Sequence, residues 1–343
     1  MSYDYGGWPS GSYHARMRRR RQRRGPGLFA RLVRVVVFLS LLGFVASILQ
    51  NQFAGTLPGS GTPGGTFPGI PDSSRVPGDS QETTDPEASG GLDDRVGTSS
   101  HARSAVTVLQ RNRFYAVGGL SQVDCPAPSL ASATTRAQRT YDERVFGCLV
   151  RAWSDLLGKA GLTTTSPKLF VFDSPGSSPC GSFRPREGTT LAFYCPVNAT
   201  MYADVRQMAR SFPSEHHIAY ALVIAHEYGH HLQNVAGILN AESALAYTQP
   251  ELDMELSRRT EVQASCFAGM FVRSIEASYP LTGTQRRAFA YYATRAFGDS
   301  ESAPPTERSH GSPPTQGRWI FRGFDANDAA RCNSYQAPAS DVQ

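Results

Sequence analysis

Hydrophobic residues are distributed so unevenly along this 343-residue chain that they divide it before any motif is considered. Residues 35–49 are apolar without one charge, and the run extends to 32–49 if Arg34 snorkels to an interface. That is short but sufficient for a membrane-spanning helix, so 28–50 is expected to be a signal anchor. From 54 to about 100 the pattern inverts, and Gly, Pro, Ser, Thr and Asp dominate. A segment with so few aliphatic side chains cannot offset the entropy lost on ordering, so 51–103 is expected to be a flexible linker.

Periodicity returns beyond it. Residues 129–160 place Leu149, Trp153, Leu156 and Leu157 on one side of a long helix. Residues 168–172, 191–195 and 201–204 read as strands, and 214–236, 252–277 and 284–297 as helices. Helices around a few strands indicate an α+β domain, mainly helical with a small β-sheet, spanning 104–335. Residues 336–343 form a tail. About 235 residues are enough for one core.

Charge follows the same division. Nine of the 34 Lys and Arg residues but one of the 29 acids precede residue 35, which leaves the remainder at net −3. The basic tail at 1–27 beside an apolar segment is expected to stay cytoplasmic and the larger domain to be extracytoplasmic, making this a single-pass plasma-membrane protein. A nucleic-acid-binding arm is the rival explanation of the Arg run. Nothing in the outer domain calls for nucleic acid. All six cysteines lie beyond the apolar segment, without a C-x-x-C pair. An even number in an exported domain suggests three disulfides among fifteen connectivities, and the pairing expected is Cys125 with Cys148, Cys180 with Cys195, and Cys266 with Cys332. Buried free thiols are the alternative.

The candidate chemistry sits at the end of the apolar run 218–225, in His226-Glu227-Tyr228-Gly229-His230. Two histidines four apart share one helix face, where their imidazoles can hold one zinc ion, and Glu227 can reach a water on that ion. His231 falls off that face. A third ligand is required. The continuation with a third His after Gly is excluded by Gln233 and Ala236, so a glutamate on a second helix is sought. Glu261 is the best candidate, because Ala264, Ser265 and Ala268 make its helix smooth enough for close approach. Glu242, Glu251 and Glu255 are weaker. His310, Arg318 or Tyr202 could stabilise an oxyanion.

The octapeptide 226–233 followed by 261–269 resembles the bacterial neutral zinc metallopeptidase family. So do Phe193-Tyr194-Cys195-Pro196 with Met201-Tyr202-Ala203-Asp204, and Ser309-His310-Gly311-Ser312 with Arg318-Trp319-Ile320-Phe321. The resemblance implies a zincin-like, minimal gluzincin fold and one zinc per chain, held by His226, His230 and Glu261 with Glu227 as base. It implies hydrolysis of peptide or protein substrates, here exported or cell-envelope proteins, with an edge strand beside the zinc helix, 191–194 with Tyr194 or 201–204 with Tyr202, aligning the extended peptide. Two positions depart from the family pattern. Ser265 stands where the family has an Asp that orients a zinc-bound His, and the interval from His310 to Arg318 is longer. The departures motivate a second expectation, a weak or inactive homologue serving as a binding or scaffold module.

Overall fold

The computed structural model describes residues 92–96, 99–126, 130, 134–185, 190–300, 303–304 and 307–343. The basic tail, the expected anchor at 28–50 and most of the linker lie outside the described residues. Among the described residues no helix is long and apolar enough to cross a membrane.

The fold is mainly helical with a small sheet. Helix α1 (Ser100–Gln110) starts where the Ser99 hydroxyl accepts from the Ala102 amide, and α2 (Thr135–Lys159) starts on Thr134 in the same way. On α2 the residues Tyr141, Val145, Leu149, Ala152, Trp153 and Leu156 recur at helical spacing and are buried. Strands β1 (Lys168–Phe172), β4 (Ala192–Cys195) and β5 (Thr200–Asp204) form a sheet in the order β1-β5-β4. β5 is central, parallel to β1 and antiparallel to β4. In sequence between β1 and β4 lies a separate hairpin of β2 (Gly176–Ser178) and β3 (Gly181–Phe183). Helices α3 (Val205–Ser211), α4 (His217–Val235), α5 (Ile238–Thr248), α6 (Asp253–Ile275), α7 (Gly283–Ala293) and α8 (Pro313–Ala326) follow.

Among the described residues helix α4 is central and packs against α2, α6, α7 and β4. Its apolar run, Ile218 to Ala225, is buried on every side. The free amide of Ile218 in its first turn is satisfied by the Gln285 Oε1 of α7, at 3.1 Å. After Val235 the chain turns at Gly237, whose φ of 75° suits a residue without a Cβ. Helix α6 packs along both α4 and α8. A Cβ on Gly323 would collide with the Cys266 carbonyl, and one on Gly269 with the Ile320 carbonyl. These two glycines let α6 and α8 touch backbone to backbone.

All three cysteine pairs are joined as the sequence suggested: Cys125–Cys148, Cys180–Cys195 and Cys266–Cys332. The last ties α6 to the C-terminal segment. Several elements went unexpected. α1 lies partly within the segment whose composition suggests a linker, yet Ala102, Ala105, Val106 and Leu109 bury against α5. α8 begins at two prolines in a Pro-rich stretch, which masks its start although proline suits the first turn.

Candidate metal centre

α4 carries His226, Glu227 and His230, and α6 carries Glu261. Crossing of the two helices brings one ligand atom from each of His226, His230 and Glu261 within 4.8 Å of one another. Glu261 Oε2 lies 3.1 Å from His226 Nε2 and 3.6 Å from His230 Nε2.

The other nitrogen of His230 decides its tautomer. Buried Gln233 donates its Nε2 to the Thr260 carbonyl at 2.7 Å and to Gln263 Oε1 at 3.1 Å. Gln263 in turn donates to the Cys332 carbonyl and to the Tyr115 hydroxyl. Gln233 Oε1 therefore faces His230 Nδ1, at 2.8 Å, as an acceptor, and Nδ1 carries the proton. The Nε2 lone pair is left pointing at the Glu261 carboxylate. Two electron-rich atoms in that position require a cation between them. A proton answers at one nitrogen: burial lowers the His230 pKa, but Glu261 and Glu227 outweigh it and lift it to about 9. A divalent ion answers at all three donors, and neutral imidazoles with a carboxylate are the donor types zinc takes. The residues fit the metal.

Electrostatics separate the two acids. Burial works against Glu261, yet His310, His230 and His226 hold its carboxyl well below the usual carboxylate range. Burial dominates at Glu227, which is 1% exposed, and pushes it up to about 7 against the opposing pull of His230 and His310. The Tyr194 amide reaches the Glu227 carboxylate from the edge strand, while Oε1 has no hydrogen-bond partner. A buried acceptor left open beside a metal-ligand set is where a water with a proton to lose would bind.

His310 also converges. Its Nε2 stands 3.7 Å from Glu261 Oε2, and its Nδ1 faces Asp299 Oδ1 at 3.2 Å. The other Asp299 oxygen accepts the amides of His310 and Gly311, at 2.7 and 3.1 Å. Asp299 thus fixes both the loop and the ring. Nothing in the sequence marked Asp299, eleven residues before His310 across a loop.

The remaining candidates are distributed differently. Arg318 is exposed and hydrogen-bonds Thr315, because the register of α8 turns Gln316, Trp319 and Ile320 inward instead. Tyr202 lies on the central strand and stacks on Phe193 in an aromatic cluster with Phe172 and Phe183. Tyr194 belongs to the edge strand β4; its hydroxyl meets His231 Nδ1 at 3.1 Å and Asn234 at 3.0 Å, so His231 helps seat the strand on α4. Ser265 Oγ lies 3.0 Å from His226 Nδ1. Glu255 pairs with Arg95 and Arg259, away from the centre.

Two histidines one helical turn apart, a glutamate from a crossing helix and a buried acid between them define the HExxH-plus-Glu class of zinc protein. The chain belongs to the family described as "Putative neutral zinc metallopeptidase", whose model matches residues 114–335. It is 33% identical over 196 residues to uncharacterized protein YpfJ of Escherichia coli K12, covering 53% of this chain and 66% of that one. It is 28% identical over 198 residues to uncharacterized protein Rv2575 of Mycobacterium tuberculosis H37Rv, covering 50% of this chain and 64% of that one. The match thus spans just under two thirds of these relatives' length. No solved structure matches the chain.

Proposed function

We propose that this protein is a membrane-anchored zinc peptidase that hydrolyses peptide bonds of exported or cell-envelope proteins. The observation that carries the reading is the open Oε1 of Glu227, buried one residue from the first of three convergent metal donors. When bound by His226, His230 and Glu261, zinc would supply Lewis acidity, polarising a substrate carbonyl and acidifying water. The chain's own groups then have distinct tasks. Glu227, buried with Oε1 open, takes a proton from water at that oxygen and returns it to the departing amine. His310 gives its Nδ1 proton to Asp299 and presents Nε2 to the same space, where the protonated ring would donate to the developing oxyanion. Strand β4 offers a sheet edge beside α4, along which an extended peptide can pair.

The test is direct. Purified protein should contain one zinc per chain and cleave unfolded protein, and a chelator should abolish cleavage until zinc is restored. Protein that remains metal-free in excess zinc, or cleavage indifferent to chelation, would refute the reading.

A further inference from the structure

The His226 ligand is held by a neutral chain of hydrogen bonds whose direction is set on helix α8 and the His310 loop. Gln316 of α8 is 1% exposed, and Ser265 is fully buried. Gln316 Nε2 donates to the backbone carbonyl of His310, and the Ser265 hydroxyl donates to Gln316 Oε1. A carbonyl cannot donate, so the amide nitrogen has to face His310 and the amide oxygen has to face Ser265. With its only proton committed to Gln316, Ser265 Oγ can receive but not give at His226 Nδ1, 3.0 Å away. The proton of His226 therefore sits on Nδ1, and the Nε2 lone pair faces Glu261, 3.1 Å away.

We propose that Gln316 is the positioning residue for His226: acting through Ser265, it selects the ligating tautomer and fixes the ring. This rests on the zinc reading of the same site. A charged partner for His226 is unnecessary here, because the polarity of the relay comes from a fixed backbone dipole. The same side chain ties His226 to the His310 loop, so the ligand and the candidate oxyanion donor are set by one amide. Gln316 reaches Ser265 across the close contact of α8 on α6 that Gly323 and Gly269 allow.

The experiment measures zinc dissociation constants of the full chain by competition with a chromogenic chelator, alongside thermal melting of the metal-free protein. Gln316→Met keeps the length of the side chain and removes both hydrogen bonds; it should weaken zinc binding about 10- to 100-fold. Ser265→Ala should do the same. The double variant should be no weaker than the weaker single one, because one relay can be broken only once. In a Gln316→Ala background, Ser265→Asp supplies an acceptor directly to His226 Nδ1 and should restore affinity, a rescue that a packing role would not predict. If Gln316→Met fails to fold, Ser265→Ala and the rescue pair report on the same link. A wild-type chain that binds no zinc overturns the metal reading and this one with it. Wild-type binding matched within threefold by both single variants, or additive losses in the double, overturns this inference alone.

Discussion

Gly229 of α4 rests on Ala264 of α6: a Cβ at 229 would stand 2.9 Å from both the Cα and the carbonyl oxygen of Ala264. Glu261 lies one turn earlier on α6, so this close crossing is what brings its carboxylate to the two histidines. Gly229→Val places two methyl groups against backbone that cannot move cheaply. Overpacking of this kind costs about 1–3 kcal/mol. The variant should melt several degrees lower and bind zinc more than tenfold more weakly, as read by calorimetry and metal titration. Unchanged zinc affinity would show that the crossing distance does not matter.

Glu227→Gln preserves shape and removes the proton acceptor. Zinc stoichiometry should be unchanged while turnover falls by roughly 10²–10⁴-fold. A glutamine variant that cleaves at the wild-type rate would eliminate Glu227 as the base.

Asp299 acts on His310 from both carboxylate oxygens. His310→Ala should lower kcat about 10²–10³-fold with zinc retained, and Asp299→Asn should produce a smaller loss in kcat with little change in KM. Arg318→Ala is the control, since its side chain is exposed on the far side of α8. Kinetics in which Arg318→Ala is the most damaging of the three would contradict the placement of these residues.

The Cys266–Cys332 bond closes a 66-residue separation and braces the helix that carries Glu261. Chain-entropy arguments assign a loop of this size about 4 kcal/mol. Replacing both cysteines by alanine should lower the melting temperature markedly, whereas the shorter Cys180–Cys195 bond should contribute less. Equal melting with and without the Cys266–Cys332 bond would be inconsistent with a bracing role.

His217 is packed among Tyr141 and Tyr279 at the start of α4, where burial lowers its pKa to about 4. Between that value and the ordinary one near 6.5, the unfolded chain takes up a proton that the fold refuses. Its contribution to stability is complete above pH 6.5 and falls as pH drops towards 4, by up to about 3 kcal/mol. Denaturant melts of wild type and His217→Gln should therefore differ in slope across that window. Parallel pH profiles would remove His217 as the source.

Much of the local chemistry was legible in the sequence. The i, i+4 spacing that puts His226 and His230 on one face is a property of any helix, and the apolar run before them announces a buried one. Strands β1 and β4 and the smooth Ala264-Ser265-Ala268 face are equally local. Helix α8 was hidden by its prolines, and α5 by its shortness and weak amphipathicity.

Relationships between distant residues were decided only by the tertiary structure. Strand order made β4 the edge and β5 the centre, which separates Tyr194 from Tyr202 although both read alike in sequence. The rotation of α8 turned Gln316 inward and Arg318 outward, and loop closure put Asp299 behind His310. Periodicity encodes which face of an element is buried, because it depends on neighbours three or four positions away. Which side chain meets which across that face depends on helix crossings and strand pairings closed over tens of residues. Those follow from the packing of the whole core.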